Sequence, residues 1–539
     1  MRRPALTLAC IACLSFFLGL GRPAITDSDE GFYAEAAREM VEGGDWLTPH
    51  FNDEERWQKP VLYYWLTAAT YLVSGPTEWA ARWWSALSGL GLVLLTWAAA
   101  RRMLARDDAA WLAGAIVATC YGYFTMARFA LPDLPLTFFI TLTIWAGFDR
   151  RWVLAGAATG LGFLMKGPIA LVVPGLVLAP VWWRERTAAP VRLRDLSTAA
   201  LVAAVIALPW YGAMTLEHGV PYLQSFFVGD NLERFATDRF NEPRGLWFYL
   251  PILVGGMFPW SIYLVTLPWR SAFSVVRRQR RLTGAEERLL AWAVLPLLFF
   301  SISVGKQPRY ILSVLPPLAI LLARSIADRM QAVDRRTRTA IVGATWATAL
   351  TYGILAVLLY RAQPLFIAAY PLLTVLGIGA IGGSALAMAW LAATRTWRLL
   401  PAVATTCAAT LLLTVQFGAL AGIRPEPVDE LAALVNQHRS GDTPVGTYQV
   451  FARSLGFYTH AAQRDLFSEA LALDFLTSPD RVLLVVRAAD LQRLESLSGV
   501  TARRLGQVRY LNPANIRLRA LLAPIPEQDV ETVLLVSNR

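Results

Sequence analysis

The sequence predicts a polytopic α-helical membrane protein carrying a small soluble α/β domain at its C-terminal end. Three observations support this. Hydrophobic residues make up 55% of the 539 residues and charged residues only 17%, where a soluble domain carries about 25% charge. Apolar runs long enough to cross a bilayer recur along the chain as far as residue 423, and mean hydropathy is +0.43. The arginines collect in alternate connections between those runs, as cytoplasmic loops of membrane proteins do. A conventional soluble enzyme and a disordered chain are both excluded by this composition.

A bilayer core takes about 17–25 residues of helix. About thirteen transmembrane helices are expected, some of them short: 5–21, 80–100, 109–127, 133–148, 152–165, 168–183, 196–216, 245–269, 289–304, 309–323, 339–360, 366–394 and 397–423. The first follows Arg2 and Arg3, and no clear small-x-small cleavage site follows it, so a retained anchor is expected rather than a signal peptide. The run 61–74 is only fourteen residues long, starts after Pro60 and stops at Gly75-Pro76, which suits a helix lying at the interface. Charge tests that choice. With 61–74 interfacial, the cytoplasmic segments hold 24 arginines in 65 residues, densest at Arg277, Arg278, Arg280, Arg281 and at Arg335, Arg336, Arg338. The net charge of +11 is then a mark of topology and not of nucleic-acid binding. Residues 1–423 form the membrane domain, with two long external loops at 22–79 and 217–244. Residues 424–539 form an external α/β domain, with strands at 481–486 and 532–537 and a helix at 468–476. The four cysteines lie in apolar runs and are expected to be packing residues.

The chemistry is expected on the external face. Loop 22–79 is acidic, and its stretch EGFYAEAAREMVEGG has the spacing of an amphipathic helix, ended by Gly43-Gly44. Asp27 reads as a cap. Ser28 or Asp29 suits the N-cap position, with Glu30 in the first turn, and Asp29 is also a candidate site acid. Of 50 basic residues 47 are arginine, and the three lysines, Lys59, Lys166 and Lys306, all fall on the external face. Compact ammonium groups kept on one face of an arginine-rich chain suggest phosphate binding. Arg128 and Asp133 flank the turn RFALPD. Asp230, Glu233, Arg234, Asp238 and Arg239 lie in the second loop, and Tyr310 follows Arg309. Carboxylates and cations beside a bilayer suit a substrate that is lipid at one end and phosphate at the other. A transferase outside the cytoplasm needs a lipid-carried activated donor, and a polyprenyl-phosphate sugar fits. Cations would stabilise the departing phosphate, and a carboxylate would orient or deprotonate the acceptor.

These residues also carry a resemblance. The stretch TDSDEGFYAEAAREMVEGGDWLTPHFNDEERWQKPVLYYWL (26–66) resembles the first periplasmic loop of the ArnT-like aminoarabinose transferases, members of the GT-C superfamily of glycosyltransferases together with the protein O-mannosyltransferases. FLMKGPIAL (163–171), NLERF (231–235), LWFYLPILVGGMFPWS (246–261) and GKQPRYILSVLPPLAILLA (305–323) are similar to the same family in the same order. The resemblance covers residues 20–325. It implies a GT-C fold of thirteen transmembrane helices, with interfacial helices in the first periplasmic loop and a periplasmic α/β domain. It also implies inverting transfer of 4-amino-4-deoxy-L-arabinose from undecaprenyl phosphate to a lipid A phosphate, at the periplasmic face of a bacterial inner membrane. By position, Asp29 matches the family's essential acid and Asp133 a second one. Lys59 matches the lysine near the carrier phosphate, and Lys166, Arg309 and Tyr310 match cavity-lining positions. Two positions depart from the family: Gln58 stands where it has Glu, and Asp230 where it commonly has His. Both belong to the family's divalent-metal site, so no metal is expected here.

The expected site is therefore Asp29, Glu30 and Asp133 as catalytic acids, with Lys59, Lys166, Lys306, Arg309 and Tyr310 around the donor phosphate and Arg128, Asp230 and Arg234 as further substrate contacts. The expected partners are a polyprenyl-phosphate sugar, lipid A or another envelope glycolipid, and membrane lipids. Two alternatives are transfer of another sugar to core lipopolysaccharide, another lipid or protein, and a lipid flippase or transporter. The latter would favour internal repeats and polar groups at the membrane midplane, neither of which is evident. A non-catalytic scaffold would not need the acids and lysines together.

Overall fold

The computed structural model describes residues 4–25, 28–238, 243–268, 282–332, 335–365, 371–420, 428–450, 452–510 and 517–539. Asp27, Arg239, the arginines at 277–281 and the join between the two domains lie outside the described residues, as do the side chains of Arg335 and Arg336.

Every expected span coincides with helix. Through the first half of the chain these are α1 (Pro4–Phe16), α4 (Glu78–Leu104), α5 and α6 (Asp107–Thr119, Tyr121–Met126), α7 (Asp133–Phe148), α8 (Trp152–Lys166), α9 (Ile169–Glu185) and α10 (Leu193–Leu223). The run 245–269 becomes α11 (Tyr249–Gly256) and a 3-10 turn, Trp260–Thr266, and the two halves of this segment bend by 109°. Then follow α12 (Gly284–Ile302), α13 (Leu315–Gln331), α14 (Arg335–Ala362), α15 (Pro371–Thr394) and α16 (Leu400–Thr414). Among the described residues six helices are both long and apolar enough to cross a bilayer alone, or seven if the bent pair counts as one span. Several others, such as α7 and α8, are apolar but shorter.

Ion pairs divide the bundle into two ends. At one end Arg102 meets Asp149, Arg106 meets Asp108 and Asp328, Arg288 meets Glu185 at 2.7 Å, and Arg324 meets Glu286. These residues come from the loops expected to be cytoplasmic. At the other end the loops expected to be external meet. The run 61–74 forms α3 (Leu62–Ser74), 13 residues long, with Leu72 and Val73 exposed at its end. At 1.5 Å per residue it is about 20 Å long, too short for a 30 Å bilayer core.

The helix α2 (Ser28–Gly43), in the first loop expected to be external, starts earlier than a cap at Ser28 or Asp29 would allow, so Asp29 and Glu30 both sit in its first turn. It ends as expected, with Gly44 at φ 73° and its N–H on the Met40 carbonyl. An amphipathic helix with one wet face was expected, yet Glu35 and Arg38 are buried too and pair with each other at 2.6 Å. The reason is the C-terminal domain, which covers the second face. Its α17 (Val428–His438), β3 (Val445–Tyr448), α18 (Leu455–Thr459), β4 (Gln463–Leu466), α19 (Glu469–Leu476), β5 (Leu483–Arg487), α20 (Ala488–Ser498), β6 (Arg503–Tyr510) and β7 (Glu531–Ser537) build a five-stranded mixed sheet in the order β4-β3-β5-β7-β6. The two strands read from the sequence, β5 and β7, pair antiparallel at its centre, Val485 opposite Leu535. Their continuous apolar runs fit a sheet covered on both faces.

Glu30 ties the first loop to the bundle. It is fully buried, and the Arg82 guanidinium donates to both its oxygens at 2.7 and 3.0 Å. The Ala130 N–H donates to it at 2.8 Å, and Arg82 also donates to the carbonyls of Leu20, Pro23 and Ala24. Breaking such a buried pair from one side costs about 3–5 kcal/mol. Glu30→Ala is therefore expected to lower the melting temperature of the detergent-solubilised protein sharply, or to prevent its folding. A melting temperature unchanged within error would contradict this role.

Candidate active site

The site is built where helix ends meet. Asp133 opens α7 and Asp29 lies in the first turn of α2, so each carboxylate sits at the positive end of a helix dipole. Lys166 closes α8, the end that favours a cation. The next residue, Gly167, has φ 82°, and a Cβ there would come within 2.6 Å of the Phe226 ring, so the sharp exit from α8 needs glycine. Arg309 leads the 3-10 turn Pro308–Val314 before α13.

These four side chains form one chain of charge. Lys166 Nζ donates to Asp133 Oδ1 at 2.5 Å, Arg309 Nε lies 3.5 Å from Asp133 Oδ2, and Arg309 Nη2 donates to Asp29. Asp133 is nearly inaccessible, whereas the Asp29 side chain is 34% exposed. Burial would raise the Asp29 carboxyl, but Arg309 first, and Lys166 and Arg453 after it, hold it below its ordinary value. Asp29 is an anion at neutral pH. The Tyr310 ring lies 5.4 Å from Lys166 Nζ.

A second group stands beside the first. Asp230, on the π-helical stretch Gln224–Glu233, is buried and paired with Arg234 at 3.3 Å. Together with Gln58, Gln224 and Glu233, Asp230 lines a cavity of about 540 Å³. Lys59 follows Gln58, and its Nζ donates to the Gln58 carbonyl at 2.8 Å. Burial, and then Arg234, push its ammonium down to about 7, against the opposing pull of Asp230. The donor set here does not suit a divalent cation. Gln58 is a neutral amide, the Asp230 carboxylate is engaged by a guanidinium, and no three His, Cys, Asp or Glu side chains converge among the described residues.

Three expected site residues are engaged by other contacts. Glu30 is the buried tie described above. Lys306 donates to the carbonyls of Ser303 and, at 2.9 Å, Arg244, so its ammonium satisfies backbone left open where α12 ends. Arg128 donates to the carbonyls of Ser15, Phe16, Leu18 and Gly19, doing the same for α1. Two residues were not anticipated. Arg56 donates to the Tyr64 hydroxyl at 2.9 Å and lies 4.2 Å from the Phe32 ring. Arg453 reaches the same ring from the C-terminal domain at 4.5 Å. Arg56 lies inside the stretch that carries the resemblance. Arg453 has no local signal at all.

A bundle of apolar helices with a short helix lying beside them, a charged site at one end and an α/β domain over that site makes a GT-C type fold. The fold matches the crystal structure of ArnT from Cupriavidus metallidurans bound to undecaprenyl phosphate over 99% of this chain and 98% of that chain, with a TM-score of 0.72 at 21% identity. It also matches, in fold alone, the archaeal oligosaccharyltransferase AglB from Archaeoglobus fulgidus, with a TM-score of 0.52 over 95% of this chain.

In sequence, residues 24–218 match the family described as dolichyl-phosphate-mannose-protein mannosyltransferase. The chain is similar to undecaprenyl phosphate-alpha-4-amino-4-deoxy-L-arabinose arabinosyl transferase 2 of Proteus mirabilis, 32% identical over 60% of this chain and 59% of that protein. It is likewise similar to arabinosyl transferase 1 of Pseudomonas fluorescens, 36% identical over 62% of each. The match thus spans about 60% of the length of these relatives. The chain is a multi-pass membrane protein with the GT-C type fold, and in sequence it is similar to the arabinosyl transferases over that stretch.

The Arg309 bridge sets a pH dependence. A carboxyl with a lowered folded pKa adds stability that is present at neutral pH and lost as pH falls through that pKa. Arg309→Gln removes this contribution from Asp29. The variant is expected to melt below the parent at pH 7, with the gap narrowing as pH falls into the carboxylate range. A gap that is constant or widens toward acid contradicts the bridge.

Proposed function

We propose that the chain is an inverting glycosyltransferase. It would move a sugar from a polyprenyl (undecaprenyl) phosphate donor to an envelope acceptor, at the periplasmic face of a bacterial inner membrane. The best-supported reaction is transfer of 4-amino-4-deoxy-L-arabinose to a lipid A phosphate. The observation that carries this reading is the carboxylate pair Asp29 and Asp133, bridged by Arg309 and with Lys166 on Asp133, at one end of an apolar bundle. The relatives' names and the ligand of the matched ArnT structure support the donor class.

In this reading an acceptor phosphate oxygen attacks the anomeric carbon from the face opposite the carrier. The bond from that carbon to the carrier phosphate oxygen breaks, and its electron pair leaves with the phosphate. Acceptor phosphate is already ionised and the carrier leaves as an anion, so no proton has to move. Lys59, with Arg234 beside it, takes the growing negative charge on the carrier phosphate. Asp29, ionised and partly exposed, positions the acceptor or the donor's amino sugar. Asp133 and Lys166 hold Arg309 and so hold Asp29. Asp230 keeps Arg234 in place.

Asp29→Asn is expected to reduce transfer by the purified protein by about 10²-fold or more, while the variant still folds and elutes as the parent does, its melting temperature falling no further than in Arg309→Gln. Full activity in the folded variant would overturn the assignment. Lys59 adds a second check. A bound phosphate favours the charged ammonium, whose free value is about 7. Donor KM is therefore expected to rise as pH goes from 7 to 9, and Lys59→Ala to raise KM and flatten that rise. A donor KM independent of pH over this range, or unchanged by Lys59→Ala, contradicts the role.

A further inference from the structure

The C-terminal domain meets the site through the segment 452–461. A Cβ on Gly31 would lie 2.8 Å from Ser454 N and 3.0 Å from the Arg453 carbonyl carbon, so the two backbones touch at the first turn of α2. Tyr458 anchors the approach by accepting the Ile25 N–H at 2.8 Å and donating to Glu78 at 2.9 Å. Phe457 is buried beside Tyr71. This docking puts the Arg453 guanidinium over Phe32, three residues along α2 from Asp29.

Two guanidinium groups, Arg453 and Arg56, therefore share one ring, at 4.5 and 4.2 Å. Like charges repel, and a cation–π contact gives only about 0.5–2 kcal/mol, so the ring alone does not account for gathering both. Neither is neutralised closely. The nearest carboxylate to Arg453 is Asp465 at 3.7 Å, and the buried Arg453 Nε makes no hydrogen bond. Arg56 gives its Nε to a neutral tyrosine hydroxyl, and among the described residues no carboxylate oxygen lies within 4.0 Å of its guanidinium. The Arg453 side chain keeps 22% of its surface exposed. An anionic acceptor approaching Asp29 and Asp133 would be repelled unless cations met it, and Arg309 and Lys166 are already engaged by those two acids.

We propose that Arg453 and Arg56 form a clamp for the acceptor's phosphate group, so that the C-terminal domain supplies part of the acceptor site. This rests on the transfer reading above. Guanidinium groups suit the task because their forked donors match phosphate oxygens two at a time. Donor and acceptor phosphates would then be held by different cations, with Lys59 and Arg234 on the carrier and the Phe32 arginine pair on the acceptor.

The test is steady-state kinetics on the full-length protein in detergent, with undecaprenyl phosphate-aminoarabinose as donor and lipid A as acceptor. Folding is followed by elution and melting temperature. In Arg453→Ala the acceptor KM is expected to rise about tenfold, the loss of one charge-assisted contact. Donor KM should stay within about twofold, and Arg453→Lys should recover part of the effect. Asp465→Asn, which releases Arg453 from its carboxylate, should lower the acceptor KM, and it keeps the proposal testable if Arg453→Ala does not fold. An unchanged acceptor KM in folded variants overturns the clamp, as does an equal rise in donor KM. A fall in kcat alone also overturns it, since that is what action through Asp29 would give. No transfer by the parent protein overturns the transfer reading itself, and the clamp with it. Transfer by the parent with unaltered acceptor KM in the variants overturns the clamp only.

Discussion

Arg309 bridging Asp29 and Asp133 is the interaction on which the rest of the arrangement depends. Asp133 belongs to the helical bundle and Asp29 to the loop helix α2. Two carboxylates drawn to one guanidinium need that cation between them to offset their mutual repulsion. Supplying that cation from a third place, the turn before α13, joins three parts of the chain in one electrostatic unit. Lys166 completes it by taking the remaining oxygen of Asp133. A short distance along α2, Glu30 and Arg82 form the buried counterpart that fixes the helix from the bundle side. Asp29, the acid proposed to position the substrate, thus stands on an element held on one side by an ion pair and on the other by the C-terminal domain.

Much of this was legible in the sequence, and each part for a definite reason. Long apolar runs leave few alternatives to helix, so each expected segment overlaps a helix, while six or seven spans among the described residues are long and apolar enough to cross a bilayer alone. Arginine counts separated loops that do form two distinct ends. The strands RVLLVV and TVLLVS announced themselves as short continuous apolar runs rich in valine, and Ser468 capped the helix that follows β4 as its type predicts, accepting the Leu471 N–H at 3.3 Å. The bend of 109° near Phe258 was not visible, because a window of hydropathy is blind to direction.

The site was legible in its acids and only partly in its cations. Asp29, Asp133, Lys166 and Arg309 meet as expected. The three lysines had been grouped by sidedness, which says which end a residue occupies and nothing about what its side chain touches. Lys306 turned out to serve open carbonyls at a helix end, and Arg128 does the same for α1. Glu30, one residue from Asp29, points along a helix about 100° away from it and into the bundle, which a linear motif cannot convey. Arg453 was beyond reach altogether, since the domain that carries it is placed only by tertiary contacts such as the Gly31 approach.

In the proposed transfer a sugar passes from a polyprenyl phosphate to an envelope phosphate at this site. Mass spectrometry of lipid A and the other envelope glycolipids, from cells with and without the gene, reads this out, because one mass shift names sugar and acceptor together. Lipid A is expected to gain the mass of one aminoarabinose per modified phosphate only when the gene is present. Envelope glycolipids identical in both strains, under conditions where the protein is made and the donor is available, would contradict it.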